Sequence, residues 1–226
     1  MDTRQVADLL ARTGLFGVLD QVTREEIAES AIQYTLGKGQ TVFVQDEMGD
    51  RLFVVAAGGV KLYLRSQQGE IVELVRHWPP AVFGELALLD GGPRSASAET
   101  VEPTVLVAIA REKLIHILRS DARAVDALLC SLGDIVRRTT RQMADLVFLD
   151  LQGRLARKLI ELGSAEGDGG TGGRRVTQTE LANMVGGVRQ TVNLALRALQ
   201  DRGYIRVNGG SVEILKLDGL RRRAGE

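Results

Sequence analysis

Residues 177–203 read TQTELANMVGGVRQTVNLALRALQDRG. Thr177, with Glu180 three residues on, forms a capping box, in which a hydroxyl oxygen and a carboxylate accept from otherwise free N–H groups of a first helical turn. A helix is therefore predicted up to about Val185. Gly186 and Gly187 break it, and a second helix is predicted over 189–202, ended by Gly203, a residue suited to the left-handed C′ position. Two short helices across a glycine turn are the layout of a helix-turn-helix. In the second helix Val192, Ala195, Leu196 and Leu199 share a face that should pack on Leu181 and Val185, leaving Arg189, Gln190, Asn193 and Arg197 pointing away. Alone, such a polar face is most often just solvated. Just downstream, however, 204–207 and 211–215 flank Asn208-Gly209-Gly210, which reads as a β-hairpin, or wing. Capping box, glycine turn, helix and hairpin together predict a winged helix-turn-helix, whose outward Arg, Gln and Asn are residue types that bind guanine and adenine edges in a major groove.

Upstream of the capping box, 163–173 is too glycine-rich to be anything but a mobile loop, and a helix is predicted over 151–162. A longer amphipathic helix is predicted from Ser120 or Asp121, good N-cap residues, to about Leu149, spanning roughly 43 Å. In it Val125, Leu132, Thr139 and Leu146 recur every seven residues, with Leu128, Ile135, Gln142 and Leu149 as companions. One reading is a helix packed on the core of its own domain. Heptads with an apolar stripe favour the other, a coiled coil between two copies. Thr139, Gln142 and the neighbouring Thr140 interrupt the stripe with polar groups that either fix register or meet a ligand.

Between 41 and 109 the sequence reads as short strands at 41–44, 52–56, 60–64, 71–76, 95–98 and 105–109, most of them punctuated by Gly or Pro. Val60, Leu62 and Leu64 alternate with Lys61 and Tyr63, predicting a strand with one buried face. Helical patterns at 2–13, 23–30 and 111–119 flank the block, so the expected fold class is α+β. It comprises a jelly-roll-like β-roll domain at 1–119, a dimerisation helix at 120–149 and a winged helix-turn-helix domain at 150–226.

The 226 residues carry 29 basic and 29 acidic side chains, a formal charge of zero. The total conceals a division: 151–226 hold 13 basic and 8 acidic residues, net +5, and 1–150 hold 16 and 21, net −5. The positive half is the one with the helix-turn-helix, as phosphate binding requires. With 44% hydrophobic and 26% charged residues the chain has the composition of a globular protein. No stretch approaches the roughly 18 apolar residues of a membrane helix. The first residues lack an export-type apolar core, so a cytoplasmic location and no membrane partner are expected. A single cysteine, Cys130, cannot form an internal disulfide or by itself ligate a cluster, and no metal site is expected. An enzyme is also not expected: His77 and His116 are the only histidines, and no phosphate-binding loop or nucleophile-elbow motif is present.

A second constellation, 83–98, reads FGELALLDGGPRSASA. A glycine permitting close backbone approach, a carboxylate and an arginine fall within eleven residues. That suits a small phosphate ester, with Arg94 pairing with the phosphate and Glu85, acceptor-only when ionised, taking a ribose hydroxyl. By spacing alone, an ordinary surface pair is the commoner reading.

Taken with VGGVRQTV at 185–192 and with the domain order, these residues resemble the cyclic AMP receptor protein (CRP/FNR) superfamily over nearly the whole length. Gly49-Asp50 and Gly58-Gly59-Val60 look like its β-roll pattern. The resemblance implies a homodimeric transcription regulator that binds a palindromic operator in double-stranded DNA, contacts RNA polymerase and answers to cAMP, with cGMP, another ligand or nucleotide-independent binding as alternatives. It further implies that Glu85 binds the ribose 2′-hydroxyl, that Arg94 and Ser95 bind the cyclic phosphate, and that backbone from Gly84 to Leu86 closes around the sugar. Thr139 is implied to serve the base in its own chain's pocket and Thr140 in the other chain's. Arg189 matches a guanine-reading arginine, and Gln178, Thr179 and Thr191 match backbone-contacting positions. Departures are Gln190, where glutamate is common, Leu194, where a second arginine often stands, Val188, which lacks a cap oxygen, and Trp78-Pro79-Pro80, where a Gly-Asp pair often precedes the cassette. The first two predict a shifted half-site or weaker discrimination.

Overall fold

The computed structural model describes residues 1–164, 176–208 and 211–226, which form two compact units: residues 1–69 with 74–136, and residues 70–73 with 137–226. In chain order the first elements are α1 (Thr3–Ala11), α2 (Gln21–Ser30), β1 (Ile32–Leu36), β2 (Thr41–Phe43), β3 (Arg51–Ala57), β4 (Val60–Arg65) and β5 (Ile71–His77). They are followed by β6 (Val82–Phe83), α3 (Leu86–Asp90), β7 (Ser97–Thr100), β8 (Thr104–Ala110) and α4 (Arg111–Ser120). The strands make two four-stranded sheets, ordered β1-β8-β3-β6 and β2-β7-β4-β5.

Strand β3 explains how the roll is built. Its run Leu52-Phe53-Val54-Val55 is buried throughout because both faces are covered. Leu52 and Val54, with Val107 and Ile109 of the antiparallel neighbour β8, join the core that holds Leu10, Ile27 and Leu114 of the flanking helices. The alternate residues Phe53 and Val55, with Leu106 and Ala108, join Phe43 and Phe83 in a separate core inside the roll. Period-two geometry thus divides one apolar run between two cores.

The alternation expected in β4 is not observed. Val60 and Tyr63, on opposite faces of the strand, are both buried, and Leu64, one residue past the last pair with β7 at Tyr63 and Ser97, is exposed. The Tyr63 ring also lies against two cations, Lys61 and Arg65, at 5.4 and 5.9 Å. Four elements have no counterpart in the sequence reading: β1, β6, α3 and the terminal helix described below.

Helix α5 (Ala122–Phe148) begins after Asp121, whose Oδ1 accepts from the Arg123 amide at 2.9 Å. Its expected register is divided between core and solvent. Ala124 and Leu128 are buried in the helix-covered core, and Leu132 packs partly against it. In solvent are Leu129, Val136 and Met143, each about 60% exposed and seven residues apart, together with Leu146 of the expected register, 57% exposed. The helix thus packs on the core of its own unit through Ala124 and Leu128 and carries a second apolar row on an adjacent face, offset by one residue or about 100°.

The second unit contains α6 (Leu151–Ser164), α7 (Gln178–Val185), α8 (Arg189–Asp201), the antiparallel pair β9 (Ile205–Asn208) and β10 (Ser211–Ile214), and α9 (Leu217–Arg223). Gly163 and Ser164 belong to α6; the remainder of the expected loop, 165–173, and the expected hairpin turn at 209–210 lie outside the described residues. Leu155 and Leu159 of α6, Leu181 and Val185 of α7 and Val192, Leu196 and Leu199 of α8 share one core with Ile205 and Leu220. Three arginines fix the corner between α5 and α6. Arg154 donates to the carbonyls of Leu149 and Val185, Arg157 to the Asp145 carboxylate and the Ala224 carbonyl, and Arg223 to Asp150. The Arg223 bond, helped by the Gly153 amide, holds the Asp150 carboxyl below its ordinary pKa, whereas burial raises that of Asp145 against the opposing pull of Arg157.

Candidate functional site

Gly84, Glu85, Leu86, Arg94 and Ser95 converge in the roll at the end of β6. Arg94 is the centre of this group. It is only 4% exposed, and its guanidinium donates to the carbonyls of Gly84 at 2.7 Å and Arg51 at 2.6 Å while lying 4.2 Å over the Phe43 ring. Burial lowers its pKa, and Asp50, Glu47 and Glu85 act in the opposite sense. An arginine has five N–H donors, and the bonds to these two carbonyls use two of them. The cation is thus held in place before any ligand arrives.

The backbone is shaped around it. Gly84 has φ of 83°, a left-handed conformation that favours glycine, and a Cβ there would stand 2.9 Å from the guanidinium. Gly49 is equally constrained by space: its Cβ would fall 2.8 Å from Arg94 Cζ and 2.7 Å from the Ala87 methyl. Glu85 is buried, and Leu86 and Ser95 are exposed. A buried cation, a glycine that brings backbone close and a carboxylate alongside form a donor and acceptor set that fits a sugar phosphate. Sequence reasoning missed the roles of Gly49 and Phe43. Gly49 was legible only as part of a family pattern, and Phe43 reaches Arg94 through packing that no local signal announces. Trp78 occupies the face of Gly59, where a Cβ would come within 2.0 Å of its ring.

In the second unit Thr139 and Thr140 are both exposed on α5. The Thr177–Glu180 capping box forms as expected, with Glu180 N to Thr177 Oγ1 at 3.2 Å and Thr177 N to Glu180 Oε2 at 2.8 Å. Gly186 closes α7 in the left-handed conformation, and α8 follows with no side-chain cap at Val188. Arg189, Gln190, Thr191 and Arg197 are exposed, as is Thr179, and Gln178 is half-buried. The Thr191 hydroxyl donates to the Val188 carbonyl at 2.9 Å. Asn193 is turned inward: it is half-buried, and its Oδ1 is out of solvent with no hydrogen-bond partner among the described residues.

A pinned internal cation in a roll and an outward helix in a winged helix-turn-helix define a ligand-binding DNA regulator. Residues 34–121 match the cyclic nucleotide-binding domain family, and 153–223 match the Crp-like helix-turn-helix domain family. A CRP-like cAMP-activated global transcriptional regulator of Mycobacterium tuberculosis is 36% identical over 221 residues, covering 96% of this chain and 99% of that protein. The cyclic AMP receptor protein of Thermus thermophilus is 33% identical over 177 residues, 78% of this chain and 81% of its own. Among solved structures, the c-di-GMP responsive global regulator CLP of Xanthomonas campestris superposes with a TM-score of 0.76 at 25% identity, covering 86% of this chain and 99% of that one. The chain belongs to the CRP/FNR family of transcription regulators. Among the described residues no helix is long and apolar enough to cross a membrane.

Proposed function

We propose that this chain is a homodimeric, cAMP-responsive, sequence-specific DNA-binding transcription regulator and not an enzyme. The observation that carries the reading is Arg94, buried and pinned by two carbonyls within the stretch that matches a cyclic nucleotide-binding domain family. In this reading Arg94 and Ser95 take the cyclic phosphate, Glu85 the ribose 2′-hydroxyl, backbone at Gly84 to Leu86 the sugar, and Thr139 and Thr140 the base. Residues 1–119 sense, 120–149 dimerise and 150–226 bind a palindromic operator; Arg189, Gln190 and Arg197 face bases or phosphates, while Gln178, Thr179 and Thr191 position the backbone. Asn193 contributes only if its amide turns outward. The exposed row Leu129, Val136 and Met143 supports pairing of two α5 helices. RNA polymerase is a further partner proposed by family membership.

The choice of cAMP rests on the names of the M. tuberculosis and T. thermophilus relatives. A second reading, a cyclic dinucleotide effector, is favoured by the X. campestris neighbour alone. Ligand drives the switch only as far as it binds the DNA-competent dimer more tightly than the other state. The test is titration of the full chain with cAMP, cGMP and c-di-GMP while following binding to a duplex selected from a random library. The reading expects cAMP to raise DNA affinity most; no response to any of the three overturns the sensing role.

A further inference from the structure

The outward face of α8 is narrower than the sequence pattern implies. Its buried row is Val192, Leu196 and Leu199, at spacings of four and three. Gln190, Leu194 and Arg197 have the same spacing and begin two residues earlier, about 200° around the helix, so they form the row directly opposite the core. Asn193 falls between the rows, consistent with its buried Oδ1. The centre of the outward row is therefore Leu194, 63% exposed and flanked one turn away on each side by a polar side chain.

Each member of the row restricts what it can face. A glutamine amide both donates and accepts and so matches the N6 amino group and N7 of adenine together; a glutamate there could only accept. Leucine offers no hydrogen bond. Set against guanine N7 and O6, or against a phosphate, it would leave acceptors without donors, and the one apolar feature of the major groove is the C5-methyl of thymine. We propose that α8 reads an A·T-containing step, Gln190 pairing with adenine and Leu194 packing on a thymine methyl of an adjacent base pair. This rests on the DNA-binding reading above and specifies its operator.

The experiment selects duplexes from a randomised library with the full chain plus cAMP, using wild type, Gln190→Glu and Leu194→Ala. Each thymine of the selected site is then replaced by uracil, which removes only the methyl. For wild type, uracil at one position per half-site weakens binding about 4-fold, the worth of one buried methyl-sized group. Leu194→Ala loses that sensitivity at the same position. Gln190→Glu changes the preferred base at its position from adenine to cytosine, by roughly 5- to 150-fold. Retained nucleotide binding and circular dichroism show that both variants fold. Uracil insensitivity of wild type, or the same site selected by wild type and Gln190→Glu, overturns the proposal while leaving DNA binding intact. Enrichment of no sequence by wild type overturns the DNA reading and this proposal with it.

Discussion

Arg94 and Arg197 present the same guanidinium under opposite conditions. The first is buried, bonded to two carbonyls and stacked over Phe43; the second stands in solvent on α8. A buried arginine has already lost its rotamer freedom and its water, so a phosphate reaching it meets a fixed, weakly screened charge. An exposed arginine contributes to affinity for a long polyanion through counterion release and must be ordered at each encounter. Under the proposed function, the sensing region suits one small anion in one pose and the reading region a surface it can slide along.

The comparison is most exposed to failure at Arg94→Leu. Loss of charge-assisted bonds should weaken cAMP binding by about 100-fold or more in calorimetric titration, and the orphaned carbonyls of Gly84 and Arg51 should shift stability by about 1–3 kcal/mol. Retention of full nucleotide response would remove Arg94 from the phosphate role. Gly49→Val tests the same pinning without touching the charge: the added side chain collides with Arg94 Cζ and the Ala87 methyl, and should cost about 1–3 kcal/mol in urea unfolding together with a loss of nucleotide affinity. Arg197→Ala sharpens the contrast. DNA affinity should fall and its salt slope flatten by about two, one for each copy in the dimer, with stability unchanged within about 0.5 kcal/mol; destabilisation as large as that of Arg94→Leu would erase the distinction. Thr177→Ala, which removes the cap of α7, should cost about 1 kcal/mol with no change in nucleotide binding.

The smallest effect is in pH. Asp150 has a lowered pKa, so its contribution is present above the unfolded value of 3.8 and is lost as pH falls through the lower folded value. Being largely exposed, it accounts for under about 1 kcal/mol, and Asp150→Asn should reduce the acid sensitivity of unfolding below pH 3.8 by that much. Asp145 has the opposite sign: its raised pKa is a cost at neutral pH that is relieved as pH falls toward that raised value.

The helix-turn-helix was legible because its signals are local. A capping box, a left-handed glycine and an apolar row each act within a few residues, and all three stand where the sequence placed them. The long strands of the roll were legible for the same reason. Strand β6 has only two residues and α3 only five, too few for any periodicity to register. β1 is largely exposed and is defined by its pairing with β8, more than sixty residues away. In α5 the apolar positions satisfy two seven-residue registers, and only tertiary packing assigns Leu128 to the core and Leu129 to solvent. At the candidate site, the arginine and glutamate were recognisable by chemistry and family pattern. The burial of Arg94 depends on the Gly84 carbonyl, within the same stretch, and on the carbonyl of residue 51, which no window around 94 contains.

The uncovered row on α5 has a thermodynamic consequence. Under the proposed pairing of two α5 helices, its leucine, valine and methionine are sheltered by another copy and the chain is subject to mass action: diluting the protein removes the shelter as heating does. Its apparent melting temperature should climb with protein concentration, and Val136→Glu should abolish that climb. The amount of regulator present would then help set how much of it is folded for binding.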